Sequence, residues 1–332
     1  MEQFAPEYYS LFRCIASACP DSCCKEWAVD VDPVSAEYYR GLPGSLGERL
    51  RSVLNDTQDG TVMTIEDGRC PMWRQDGLCR IQAELGHDAL CKTCREFPRL
   101  RHDYGDFAEL GLELSCPEAA RLILTSPAQA MVSCTVPGGE EPDYETEIMM
   151  ILRRTRQQAL ALLDDPRFTV PQALAILLLY AHNVQAELDF REDSVFDPEA
   201  SLTQAFKFAR PADPAGLFHF YGQLEILTPQ WKTRLSVAPS PVLWTDIFRR
   251  LARYFINRYW LQTVSDYDLI CRVKFTIAAC LLIHAMGDDP IQTAQQFSKE
   301  IENDPDNVEA IFDAAYTEPV FTDLNLLGLL LI

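Results

Sequence analysis

Long hydrophobic runs, blocks of basic residues, paired histidines and glycine-rich phosphate loops are all missing from this 332-residue chain. Each absence closes a class of function. The longest apolar stretches, "ALAILLLYA" (173–181) and "FTIAACLLIHAM" (275–286), are too short to span a bilayer, and the tail "LNLLGLLLI" reads as a terminal element packed on the body. The start, "MEQFAPEYYSLF", is acidic and aromatic where a secretory signal needs a basic start and an apolar run. A cytoplasmic setting is therefore expected, one in which disulfides rarely persist. No run of five or more Lys/Arg occurs, and 49 carboxylates stand against 29 cations, a net charge of −20. Nucleic acid and anionic membrane surfaces are not the expected partners; an acidic shell is a solubility feature first, and basic or lysine-bearing proteins are the partners it would also suit. Lysine is scarce, 6 residues against 23 arginines. No GxGxxG, P-loop or HExxH is present, and each of the five histidines stands alone, His87 and His102 being the two inside the cysteine-rich part. "GLPGSLG" (41–47) has the wrong spacing for a nucleotide loop and follows no clear strand.

What the chain has is cysteine: twelve, ten of them at or before Cys134. Cys271 and Cys280 fall in an apolar helical context and read as small buried hydrophobes. Composition shifts at "TVPGGEEPDY" (135–144), which reads as a linker or long turn. The expected fold class is mainly α: a cysteine-rich α+β module over 1–134 with a small β-meander, that linker, and a helical region over 145–332. In the helical region, "DYETEIMMILRRTRQQALALL" spaces Ile148, Ile151, Leu152, Ala159, Leu162 and Leu163 at helical intervals. Ser240-Pro241 reads as an N-cap followed by proline at the first helical position, with Leu243, Ile247, Leu251 and Phe255 along one face; Asp289-Pro290 and Asp304-Pro305 repeat the signal. The stretch 191–240 reads as loops and short helices. In the module, "TVMTI" (61–65), "CPMW" (70–73) and "LCRIQ" (78–82) are β-like runs separated by Asp67-Gly68 and Asp76-Gly77, which predicts the meander and brings Cys70 near Cys79. "ELSCPEAARLILTS" (113–126) predicts a helix starting near Cys116 or Pro117.

"CPDSCCKEW" (19–27) sets three thiols within six residues. A disulfide, a metal site and a plain apolar core all remain open for them. The spacing runs Cys14, Cys19, Cys23-Cys24, Cys70, Cys79, Cys91, Cys94, Cys116. A zinc ribbon needs two CxxC knuckles, and only Cys91–Cys94 qualifies. Three cysteines precede proline, at 19, 70 and 116. Such irregular spacing suits a cluster held by a dedicated fold better than a zinc finger. Adjacent Cys23 and Cys24 point apart on a strand or a helix, so one would ligate while the other packs or supports. The C-x3-C-x2-C of radical adenosylmethionine enzymes fails because Glu26 stands in its last place.

The blocks "FRCIASACPDSCCKEWAVDVD", "CPMWRQDGLCRIQAELG", "CREFPR" and "LELSCPEAARLIL", covering residues 12 to 124, resemble the flagellin lysine-N-methylase family in the same order. "ARYFINRYWL" is similar but less diagnostic. The resemblance implies methyl transfer from S-adenosylmethionine to lysine side chains of flagellin, with an iron–sulfur cluster of the four-iron type. By matching positions it implies a ligand pool of Cys19, Cys23, Cys24, Cys70, Cys79, Cys94 and Cys116, with Cys14 at its margin and Cys91 outside it. That is more than one four-ligand cluster needs, so either a second metal exists or some thiols support the others. A donor carboxylate suits an arginine fork, for which Arg95 or Arg99 beside Cys94 is the candidate. Glu113 or Glu118 could hold the donor's ammonium or act as base, a solvated charge or local ion pair being the plainer role. Trp27 and Trp73 are placed to shield a cluster from water. The alternative is an iron–sulfur or zinc-binding redox or interaction protein without methyltransferase activity.

Overall fold

The computed structural model describes residues 1–58, 60–189 and 195–332. Strands β1 (Glu2–Pro6), β2 (Val29–Val31), β3 (Leu54–Asp56), β4 (Thr61–Met63), β5 (Arg99–Asp103), β6 (Phe107–Leu112) and β7 (Met131–Thr135) all precede residue 136. Helices α1 (Pro33–Gly41), α2 (Gly44–Val53), α3 (Arg80–Leu85), α4 (Lys92–Glu96) and α5 (Pro117–Thr125) interleave with them. Thereafter the regular elements are helices: α6 (Thr146–Asp164), α7 (Val170–Leu188), α8 (Pro198–Phe208), α9 (Ala215–Tyr221), α10 (Pro229–Leu235), α11 (Asp246–Tyr259), α12 (Leu269–Ala285), α13 (Pro290–Phe297), α14 (Pro305–Thr317) and α15 (Asp323–Leu331). The protein is mainly α with an N-terminal β region, as the composition and periodicity predict. Among the described residues no helix is long and apolar enough to cross a membrane.

Four strands form one sheet in the order β5-β6-β1-β7, with β1 and β6 parallel and the other pairs antiparallel. A second, antiparallel sheet has the order β2-β4-β3. The meander is thus built from other partners than the sequence suggests. "TVMTI" does supply β4, but it pairs with 29–31 and 54–56. "CPMW" and "LCRIQ" share a single bridge, Trp73 to Cys79, before the good helix formers of "RIQAEL" turn the chain into α3.

Two hydrophobic cores result. The smaller gathers Val29, Tyr39, Leu50, Met72, Ile81 and Cys91. The larger takes Phe107 and Leu112 of β6, the inner face of α5 and the later helices out to Leu330. At its centre lies α12, apolar all round and buried at every residue but His284, as a central helix must be. Its two cations are paired where they cross the core: Arg272 with Asp266 at 2.8 Å, and Lys274 with Asp323 at 3.2 Å and the Ala315 carbonyl at 2.9 Å. Cys271 and Cys280 are free and buried there.

Several helix starts follow their local signals. Asp289 and Asp304 each accept hydrogen bonds from two backbone amides of the helix they open, with proline at the first helical position. α5 opens on Cys116 and Pro117. Ser240-Pro241 does not open a helix. Ser240 N–H donates to the Ala285 carbonyl at 2.8 Å and Val242 N–H to the His284 carbonyl at 3.0 Å, so this segment runs extended along the end of α12, and α11 begins only at Asp246. Leu243 is therefore 85 % exposed rather than on a core face. Residues 136–145 hold no regular element and are pinned by the N-terminal ammonium, which donates to the carbonyls of Val136 and Gly138. Of the stretch 191–240, residues 191–194 lie outside the described residues; the remainder carries α8, α9, α10 and their connections.

Two polar contacts lock the β region in place. Asp32 caps α1 through Ser35 N–H at 3.0 Å and also accepts from Lys92 N–H at 2.8 Å, fixing the start of α4. Glu109 on β6 accepts two hydrogen bonds from Arg156 on α6, at 2.7 and 2.5 Å, and both side chains are buried. Removing one partner leaves a buried, uncompensated charge. Arg156→Met should destabilise the chain by about 3–5 kcal/mol in urea unfolding, and Glu109→Leu with Arg156→Met should recover most of that loss.

Candidate thiol centre and adjoining cavities

Nine cysteines from five segments approach one region, and all twelve in the chain are free. The pairing of 24–26 with 68–70 starts the assembly. Cys70 N–H donates to the Cys24 carbonyl at 2.8 Å and Glu26 N–H to the Gly68 carbonyl at 3.0 Å, which sets the Cys24 and Cys70 side chains in contact. Glu26 has φ +73°, so the chain here turns and is neither strand nor helix. For that reason Cys23 and Cys24 do not diverge: their thiols touch. Cys70 Sγ also donates to Met63 Sδ at 3.6 Å. Cys19 Sγ donates to the Asp21 carbonyl at 2.6 Å.

Three other cysteines stand at helix N-caps: Cys79 before α3, Cys91 before α4 and Cys116 before α5. None makes a cap hydrogen bond of full geometry, but the amides of Gln82, Cys94 and Ala119 face these sulfurs and favour the thiolate. Cys94 sits one turn into α4 and its thiol touches that of Cys91. Burial nevertheless holds the Cys79 thiol up and raises that of Cys116 to about 11. The Cys24 thiol is held down by its contacts with the thiols of Cys23 and Cys70. The sulfurs thus form two neighbouring groups, one around Cys24 with Cys70, Cys79, Cys91 and Cys94, the other of Cys14, Cys19 and Cys116, with Cys23 feeling both. Cys91, set outside the ligand pool on sequence, is in the first group. Among the described residues no three of these groups are drawn up in metal-holding geometry. The chemistry of the donor set, soft sulfur throughout, fits iron–sulfur or zinc and not a hard cation.

The helical body meets this centre at a π-turn, Ser298–Glu302, between α13 and α14, and at Gln295 just before it. All five of its residues are buried. One extra residue in the turn rotates successive side chains, and π-turns recur at functional sites. Lys299 reaches Glu26 at 2.5 Å and Asp21 at 3.0 Å, within the cysteine loop itself. Burial works against its charge, but Glu26 and Asp21 more than offset that and its pKa is raised. Gln295 ties the same loop to the start of α5, donating to Asp21 at 3.1 Å and to the Ser115 carbonyl at 2.8 Å. Glu300 accepts from the amides of Leu227 and Thr228 at 2.9 and 3.1 Å. Glu302 takes Arg258 at 3.1 Å and the hydroxyls of Tyr254, Tyr259 and Ser298.

Two cavities flank the turn. The first, about 600 Å³, is walled by Cys23, Cys94, Trp27, Phe97, Glu113 and Arg258 and floored by the π-turn. Glu113 accepts a hydrogen bond from Ser115 at 3.1 Å and forms no ion pair among the described residues; burial pushes its carboxyl up. The second cavity, about 560 Å³, lies on the far side of Lys299 against Pro20 and Pro117.

Of the four residues singled out for donor binding or base chemistry, only Glu113 lines the first cavity. Glu118 pairs with Arg121 at 2.6 Å, Arg99 lies over the Phe12 ring, and Arg95 reaches back towards the Leu90 carbonyl. The cavity's guanidinium is Arg258. Trp27 lines the cavity, while Trp73 stacks under Arg69. His87 is exposed beside Asp88, and His102 faces a different, small cavity near Glu109. Asp21, Glu26, Arg258, Lys299, Glu300 and Glu302 were not evident in the sequence. The one signal was a run of charged residues, "SKEIE", between two Asp-Pro helix starts.

No protein-family model and no solved structure matches the chain. It is 32% identical over 135 residues to the flagellar biosynthetic protein FliU of Salmonella muenchen, a match covering 37% of this chain and 76% of FliU. It is also 32% identical over 145 residues to proteins named lysine-N-methylase from Salmonella typhimurium and Salmonella choleraesuis. Those matches cover 40% of this chain but only 35% of each methylase, about a third of their length.

Lys299→Met removes the ammonium that holds Asp21 and Glu26 against the body. The loop should open more often, and alkylation of the half-buried Cys19 and Cys24 by iodoacetamide, followed by mass spectrometry, should accelerate about tenfold while Cys271 stays unreactive.

Proposed function

The chain belongs to the family of FliU and the flagellin lysine-N-methylases, and on that footing we propose that it transfers methyl groups from S-adenosylmethionine to lysine side chains of flagellin. The observation that carries the reading is Glu113: a half-buried carboxylate without an ion pair among the described residues, facing a cavity of about 600 Å³ beside Cys23 and Cys94.

A lysine amine must lose its proton before it can attack. Burial between Trp27 and Phe97 disfavours the ammonium, and burial of Glu113 raises its affinity for a proton. The two proton affinities are drawn together, which is the condition for general-base transfer. S-adenosylmethionine supplies a methyl carbon on a sulfonium sulfur, so the N–C bond forms as the C–S bond breaks and the electron pair leaves on S-adenosylhomocysteine. Glu113 takes the amine's proton and passes it to solvent at the open mouth of the cavity. Arg258, fixed by Glu302 and Tyr254, holds the cavity wall and keeps the buried carboxylates from repelling one another.

An iron–sulfur cluster, of the four-iron type, would be held by thiolates drawn from Cys19, Cys23, Cys24, Cys70, Cys79, Cys94 and Cys116. It would supply a fixed, soft anchor for the five chain segments that carry these cysteines.

Two measurements test this. Glu113→Gln should lower kcat on flagellin by about a hundredfold or more, and should abolish the acidic limb of the pH–rate profile that belongs to protonation of Glu113, leaving only that of the substrate amine. Methylation at the wild-type rate would end the assignment. Protein purified without oxygen should carry iron and sulfide, lost in Cys24→Ala and kept in Cys271→Ala; colourless protein containing zinc would replace the cluster by a structural zinc site.

A further inference from the structure

The second cavity has no part in the acceptor chemistry just described, yet it touches the same centre. It reaches the cysteine loops through Pro20 and Pro117, each the residue after a candidate ligand, Cys19 and Cys116. It shares Lys299 and Glu300 with the first cavity, so the two spaces meet at the π-turn.

Its walls differ in kind from those of the acceptor cavity. Pro20, Pro117 and Ile291 present rigid or branched apolar surface, suited to the faces of a flat ring. Gln230 and Gln292 bring amides to the rim, which offer a donor and an acceptor on one group, the pattern that reads an adenine edge, while the side-chain oxygen of Gln296 beside them is taken by Arg234. The indole N–H of Trp231, a further wall residue, is buried and has no acceptor among the described residues. At the inner end three carboxylates, Asp21, Glu26 and Glu300, face two ammonium groups, Lys25 and Lys299. That end is therefore anionic on balance, which suits a sulfonium centre. A volume of about 560 Å³ lies within the range of small-molecule sites.

The geometry points to this cavity as the seat of the adenosine half of the methyl donor, with the sulfur at the inner end, directed past Lys299 and Glu300 into the cavity that holds Glu113. The inference rests on the methyl-transfer reading above. It divides the labour of the two spaces: an amide-rimmed, apolar-plated cavity for the nucleoside and a carboxylate-lined one for the amine, with the cysteine loop roofing both.

Calorimetry of the full chain with S-adenosylhomocysteine, which binds without reacting, tests it. Gln292→Trp and Gln230→Trp place bulk at the exposed rim of the second cavity and each should weaken binding at least about tenfold. Leu227→Trp fills the acceptor cavity from a half-exposed position. It should change that affinity less than about twofold while blocking lysine methylation. Equal thermal unfolding midpoints identify the variants that remain folded. Wild-type affinity in both folded rim variants, or loss of affinity in Leu227→Trp alone, overturns the assignment. Failure of the wild type to bind the nucleoside overturns both this inference and the donor reading. Binding that follows the predicted pattern without any lysine methylation supports the nucleoside site and sinks the methylase instead.

Discussion

A buried ammonium joins the two halves of this protein. Lys299 leaves a π-turn in the helical body and ends between Asp21 and Glu26, residues of the loop that carries Cys19, Cys23 and Cys24. An isolated charge so placed would be costly, and the two carboxylates are what make its burial tolerable. The loop of Cys19, Cys23 and Cys24 is held against the body by this contact. The loop cannot shift without exposing the pair, and the two cavities lie on either side of the bond. With only six lysines in the chain, one committed to this site is conspicuous.

Around that strut the thiols are placed by ordinary backbone devices. A short antiparallel pairing sets Cys24 on Cys70. Three helix starts present Cys79, Cys91 and Cys116 with backbone amides towards their sulfurs. Asp32 and Gln295 then fix α4 and the start of α5 from outside. Burial opposes ionisation of most of these thiols, while amides and thiol neighbours favour it at Cys24 and Cys91. The balance is that of a sulfur-rich site whose anionic form is prepared for a soft cation, which is the chemistry the cluster reading draws on.

The charged groups of the body serve a different end. Glu302 is saturated by Arg258 and three hydroxyls, and Glu300 by two amides and a hydroxyl. These carboxylates are structural in their bonding. Glu113 differs in having a single hydroxyl partner and no ion pair among the described residues, so its proton affinity is free to be set by burial. With fewer partners than Glu300 or Glu302 and a proton affinity raised by burial, Glu113 is the carboxylate suited to the base of the proposed reaction.

What could be read from the chain alone was whatever short-range chemistry encodes. Helix periodicity gave α6, the Asp-Pro pairs opened α13 and α14, Cys116-Pro117 opened α5, and the ordered cysteine blocks pointed to the family. Where a local signal competed with a distant partner, the partner won: Ser240-Pro241 lost its helix to the exposed carbonyls at the end of α12, and the β-like runs at 70–73 and 78–82 lost their strands to a sheet assembled from 29–31 and 54–56. The contact between Cys23 and Cys24, the choice of Arg258 over Arg95 and Arg99 as the cavity's guanidinium, and the two cavities themselves were decided only by the tertiary structure. The physical reason is range. Caps and periodicity act over a turn or two, whereas Lys299 and Asp21 are 278 residues apart along the chain, and nothing in the neighbourhood of either announces the other.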